Sequence, residues 1–145
     1  MKKESVVIES TLNAPVSKIW KVITNNDELK HWYFNIAAFE PTVGFEFSFV
    51  GKTEEGIEYI HLCKITEVIK NKKLTYSWQY KGYKEISYVS FELFEEGDKT
   101  RLKLTHEGIE SIAVNGADFV KENFAKGWTY IIGTSLQKYV ENNKP

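Results

Sequence analysis

A single cysteine, Cys63, among 145 residues excludes an internal disulfide framework. No apolar run approaches the ~20 residues of a membrane span, and Met1-Lys2-Lys3-Glu4 leads straight into alternating residues rather than a signal-peptide core. Neither sign of charge is in excess. With 19 basic against 20 acidic residues the chain has no global attraction to nucleic acid or to an anionic membrane, and Lys70, Lys72 and Lys73 read as solvated charge at a hairpin turn. Three histidines and one cysteine are too few and too scattered for a structural zinc site. There is no phosphate-binding glycine loop, no Gly-x-Ser-x-Gly elbow and no His-Glu-x-x-His. These absences set the expectations: a cytoplasmic protein with no metal, no cofactor, no nucleic-acid partner and no membrane insertion. No catalytic residue is recognisable, and oligomeric state is not legible. The length suits one domain over residues 1–145.

What the chain has in quantity is aromatic side chains, with four tryptophans, eight tyrosines and nine phenylalanines. They sit in a period-two pattern. Ser5 to Leu12 alternates as a first strand. Pro15 then opens a helix carrying Val16, Ile19, Trp20 and Ile23 on one face, with Lys18 and Lys21 outward. Asn26-Asp27 signals a second short helix bearing Leu29 and Trp32. After Pro41 the alternation resumes: Phe45, Phe47 and Phe49 share one face, as do Tyr59, His61, Cys63 and Ile65 between Ile57 and about Ile69. Leu74, Tyr76, Trp78 and Tyr80 follow, then Val89, Phe91 and Leu93 up to a Gly97-Asp98 hairpin. Leu102, Leu104 and His106 lie on a last strand, Lys99 to Glu107. Gly108 to Gly116 reads as a loop.

From Ala117 to Glu141 the period changes. Val120, Phe124, Trp128, Ile131, Ile132, Leu136 and Tyr139 recur as one helical stripe that must lie on a sheet. Gly127 interrupts it beside Trp128, where glycine costs roughly 1 kcal/mol relative to alanine, so close approach of backbone, loop or ligand is expected there. Helices segregated from an antiparallel meander imply an α+β fold.

Three segments then resemble a known family. Asn13-Ala-Pro-Val-Ser-Lys-Ile-Trp-Lys-Val-Ile-Thr24 with Asp27-Glu-Leu-Lys-His-Trp32, Leu74-Thr-Tyr-Ser-Trp78, and Thr100 to Gly108 joined to Phe124-Ala-Lys-Gly-Trp128 and Leu136-Gln-Lys-Tyr139 are similar to the activator-of-Hsp90-ATPase-homologue-like group of the START/Bet v 1 superfamily. The segments span almost the whole chain in order. The resemblance implies a helix-grip fold: a curved antiparallel sheet wrapped around a long C-terminal helix, with two short helices after the first strand. One departure stands out, since Val68-Ile-Lys-Asn-Lys-Lys-Leu74 lacks the family's usual proline and leaves that turn's geometry open. Relatives bind lipids, hormones or polyketides, a few catalyse cyclisation or hydrolysis, and the eukaryotic namesakes stimulate a chaperone ATPase with the help of a second domain.

The resemblance places a cavity between the concave sheet face and the long helix. Strand parity puts Trp32, Phe45, Phe47, Tyr59, His61, Cys63, Tyr76, Trp78, Phe91, His106, Trp128 and Ile132 around it. Such residues also fill ordinary interiors. Tyrosine, tryptophan and histidine on inward faces must nonetheless satisfy their polar atoms, and a wet or occupied cavity is one way to do so. His61 and His106 are either satisfied structural histidines or ligand contacts. Cys63 reads as a small buried hydrophobe, and His31 as exposed. The expected function is binding of a small hydrophobic or aromatic molecule. An Hsp90 co-chaperone-like interaction module and a cyclase- or hydrolase-type enzyme are the alternatives.

Overall fold

The computed structural model describes residues 5–34, 36–52, 55–116 and 119–142. Strand β1, Ser5–Leu12, is followed by two helices, α1 (Val16–Thr24) and α2 (Asn26–Trp32). Asn25, one residue earlier than expected, caps α2, its side-chain oxygen accepting from Asp27 N at 2.9 Å. Five strands come next: β2 (Glu46–Lys52), β3 (Glu58–Ile69), β4 (Lys73–Tyr80), β5 (Ile86–Glu96) and β6 (Lys99–Glu107). All pairings are antiparallel in the spatial order β1-β6-β5-β4-β3-β2, so β1 closes back on the last strand and β2 forms the far edge. The protein is α+β, an open curved antiparallel sheet holding a long C-terminal helix.

Alternation decides which face is core. On β4, Leu74, Tyr76, Trp78 and Tyr80 are buried, as are Val89, Phe91 and Leu93 on β5 and Leu102, Leu104 and His106 on β6. A register shift between Ile65 and Glu67 of β3 marks a bulge, a device that bends a strand. At the β3–β4 turn, Asn71 adopts φ 66°, a left-handed conformation that asparagine tolerates, so the turn closes without the missing proline.

Three expectations need correction. The stretch expected as a loop forms a short helix, α3 (Ile109–Ile112), and a 3-10 turn, Ala113–Asn115, because Ile109 and Ile112 are buried in the core. The long helix starts at Lys121; Ala117, the expected start, lies outside the described residues. Apart from the helix's own backbone and the two chain neighbours, no described atom lies within 4 Å of where a Cβ at Gly127 would stand, so among the described residues neither another backbone segment nor a loop approaches that glycine.

The C-terminal helix comprises α4 (Lys121–Tyr130), a π-helical segment (Ile131–Leu136) and α5 (Gln137–Asn142). Its buried residues are Phe124, Trp128, Ile132, Leu136 and Val140, one at every fourth position. In an α-helix, four residues turn through about 400°, so such a row drifts sideways by ~40° per step. The wider π turns underwind the helix and take back part of that drift, keeping the row over the sheet. Ser135, inside the π segment, donates to Trp32 O at 2.7 Å and ties this region to the end of α2. Among the described residues no helix is long and apolar enough to cross a membrane.

Candidate functional site

A cavity of about 620 Å³ lies between the β2–β4 part of the sheet and the N-terminal half of the long helix. Its inner wall is aromatic: Tyr59 and His61 from β3, Trp78 and Tyr80 from β4, Phe34 after α2, then Phe119, Phe124 and Trp128. Lys52, Glu55, Asn123, Lys126 and Tyr130 form an exposed rim, and Gly127 leaves a gap in the helix side of the mouth. The volume falls within the ~300–1,000 Å³ usual for small-molecule sites.

Sheet register assembles the wall. Phe49 of β2 stands opposite His61 of β3, which stands opposite Tyr80 of β4. The Phe49 and His61 rings stack at 4.5 Å between centroids, and Phe34 stacks on Phe49 at 4.3 Å. Trp78 meets His61 edge-on at 4.7 Å. Gly51 is required by this packing, because a Cβ there would stand 2.8 Å from His61 Cε1.

The two inward histidines have opposite circumstances. His106 is fully buried and fully used: Trp128 Nε1–H donates to its Nδ1 at 3.0 Å, so its proton sits on Nε2 and donates to Ser87 Oγ at 2.7 Å. Ser87 then donates to Trp78 O at 3.2 Å. Burial, with a smaller contribution from His61, lowers the His106 pKa to about 3. His61 Nδ1 lies 3.1 Å from Tyr59 O, and the Phe49 backbone also bears on the ring. A carbonyl only accepts, so Nδ1 carries the proton and Nε2 keeps a lone pair. Burial holds this imidazole neutral as well, lowering its pKa to about 4 against a smaller opposing effect of nearby backbone carbonyls.

Trp78 has the complementary deficit. Its Nε1 is buried without a hydrogen-bond acceptor, the sole such side-chain atom among the described residues. The Tyr80 hydroxyl lies near enough for the indole to ease its ionisation a little, but not in hydrogen-bonding geometry; burial dominates and raises the Tyr80 pKa.

Of the residues expected around the cavity, Tyr59, His61, Trp78 and Trp128 border it. The others sit deeper or to one side. Trp32 anchors α2, donating from Nε1 to Val22 O at 3.0 Å. Phe47 packs edge-on against Tyr76 at 5.0 Å, and Phe45 stands half-buried just before β2. The Tyr76 hydroxyl pairs with that of Tyr33 at 2.6 Å. Phe91 meets Trp128 edge-on at 6.2 Å, Ile132 is completely buried under the helix, and His106 is enclosed by its network. Cys63 is buried, and desolvation raises its pKa, which makes the thiol unreactive. His31 is exposed and stacks on Tyr139. Tyr80, on the same parity as Trp78, was recoverable from the alternation; Phe34 and Phe119 fall outside the helix and strand patterns and gave no signal. Among the described residues no cluster of three His, Cys, Asp or Glu could hold a metal. Chemically, the wall offers flat apolar surfaces, one imidazole acceptor and hydroxyl and indole donors.

The same architecture recurs among known proteins. The family model described as activator of Hsp90 ATPase homolog 1-like protein matches residues 13–141. None of the curated proteins matches by sequence. Among solved structures, DynU16 from the dynemicin biosynthetic locus is similar with a TM-score of 0.78 and 19% identity, over 99% of this chain and 49% of its own. This chain thus spans about half the length of DynU16. MLL2253 from Mesorhizobium loti has a TM-score of 0.75 and 22% identity over 98% of this chain and 100% of its own. CalU16 from Micromonospora echinospora has 0.74 and 24% over 99% and 78%. At such identities the likeness establishes the fold.

Proposed function

Because the chain belongs to the activator of Hsp90 ATPase homologue 1-like family, whose fold commonly holds hydrophobic ligands, we propose that it binds a small, uncharged aromatic molecule in the cavity between the sheet and the C-terminal helix. The observation that carries this reading is the aromatic wall itself, a void of about 620 Å³ bounded by Tyr59, His61, Trp78, Tyr80 and Trp128, with Gly127 in its lining. Rings on the wall can stack on a flat ligand. The charged side chains stand at the rim, so a charge carried into the cavity would lose its solvation without a counter-ion.

The two alternatives have less support. A chaperone-directed role rests on family membership alone. Catalysis through a histidine is disfavoured because His106 spends both ring nitrogens on Trp128 and Ser87, and His61, with its pKa near 4, is a weak base at neutral pH. The test is thermal melting with a panel of neutral mono- and bicyclic aromatic compounds. A ligand at one hundred times its Kd contributes about 2.7 kcal/mol to the folded state and raises Tm visibly. A panel that leaves Tm unmoved, in a protein that binds Hsp90 and alters its ATP turnover, would shift the assignment to the interaction module.

A further inference from the structure

Resting on the cavity-binding reading, we propose that His61, Trp78 and Tyr80 form a recognition site for a hydroxyl group, which makes an aromatic alcohol of the phenol or naphthol type the class of ligand this cavity selects. The three rings are neighbours on the inner wall: His61 lies 4.7 Å from Trp78 and 4.8 Å from Tyr80 between centroids, and Trp78 lies 6.4 Å from Tyr80. All three are more than nine-tenths buried. Each has hydrogen-bonding capacity that no described residue uses. His61 Nδ1–H is committed to Tyr59 O, and among the described residues no donor is directed at its Nε2 lone pair. Trp78 Nε1–H has no acceptor among the described residues. Among the described residues nothing accepts from the Tyr80 hydroxyl.

These deficits differ in sign, and a single ligand hydroxyl cancels them. Its oxygen accepts from Tyr80 O–H, and its proton goes to His61 Nε2. With the Tyr80 proton turned to the ligand, the Tyr80 oxygen presents a lone pair to the adjacent Trp78 Nε1–H, whose near-contact then closes into a hydrogen bond. The relay runs Trp78 to Tyr80 to ligand to His61, with every donor given one acceptor. It parallels the relay already formed nearby, from Trp128 through His106 and Ser87 to Trp78 O. Other polar groups fit less well. An ether or ketone accepts from Tyr80 but gives nothing to His61. A carboxylate would face a neutral imidazole at the buried end of the cavity, with Lys52 and Lys126 out at the rim. Leaving a buried donor unpaired is expensive, typically ~1–3 kcal/mol, so a ligand that repairs the deficit gains selectivity.

The experiment measures Kd on the intact protein at neutral pH for three compounds of nearly equal shape: 2-naphthol, 2-methoxynaphthalene and naphthalene. The expected result is 2-naphthol tighter than either of the others by about tenfold. Tyr80→Phe should leave naphthalene binding unchanged and bring 2-naphthol to within about twofold of it. Naphthol and methoxynaphthalene binding equally to the unaltered protein would overturn the proposal while leaving the cavity a binding site. Survival of the full naphthol advantage in Tyr80→Phe would overturn it in the same way. Failure of all three compounds to bind would overturn both this proposal and the cavity reading beneath it. The ligand series on the unaltered chain decides the matter even if the variant does not fold.

Discussion

At the scale of single residues, one glycine fixes the position of the histidine that matters most. Gly51 and His61 belong to adjacent strands, and the space a Cβ would take at Gly51 is already occupied by the imidazole edge, 2.8 Å away. Phe49, stacked on the ring, leaves it little room to retreat. Gly51→Ala is therefore expected to displace the imidazole and to cost about 1–3 kcal/mol of stability through overpacking. A urea denaturation midpoint unchanged from the parent, with unmoved His61 ring resonances, would refute this. The case also shows what sequence periodicity can and cannot convey. His61 and Trp78 were legible as inward residues because alternation on a half-buried strand assigns faces without knowledge of partners. The need for glycine at position 51 was not, since it arises from a neighbour ten positions later on another strand. Whether a histidine is satisfied is equally invisible: His106 finds the side chains of Trp128 and Ser87, whereas His61, among the described residues, finds only backbone partners.

At the scale of elements, the strands were read closely because each buries one face and exposes the other; β1 and β6 fall where alternation placed them. The long helix was harder. An α-helical period predicts inward positions at Ile131 and Tyr139, but the π segment changes the winding after Tyr130, and Val140 is buried while Tyr139 turns partly outward to donate to Glu28. Nothing in a uniform 3.6-residue period announces such a change. Gly127 belongs to the same helix, and its explanation differs from the expected contact with another part of the protein. The space beside it is open and borders the cavity mouth. Gly127→Leu, whose Cβ would meet no described neighbour beyond its own helix, is accordingly expected to gain up to ~1 kcal/mol of helix propensity, raising Tm by roughly 2 to 4 °C. A lowered Tm would mean that the helix needs glycine for reasons of packing.

At the scale of the whole molecule, the interior holds two neutral histidines, and that couples folding to pH. Their folded-state pKa values, about 4 for His61 and about 3 for His106, lie below the ordinary 6.5. The unfolded chain thus binds protons that the folded chain refuses, and stability falls as pH drops below about 6.5. Each histidine contributes a loss of roughly 1.4 kcal/mol per pH unit until its folded pKa is reached, where the dependence flattens. Urea midpoints between pH 7 and pH 4.5 should decline steeply; a flat profile would mean the imidazoles ionise freely in the folded state. The same interior, unable to take a charge cheaply, is what suits the cavity to a neutral ligand. The most direct test of that central claim is calorimetric titration of naphthalene into the unaltered protein and into Gly127→Leu, which adds a bulky side chain at a position lining the cavity. Saturable binding to the first, with binding to the stably folded second weakened by at least about tenfold, is predicted. Equal affinity for both proteins would contradict it.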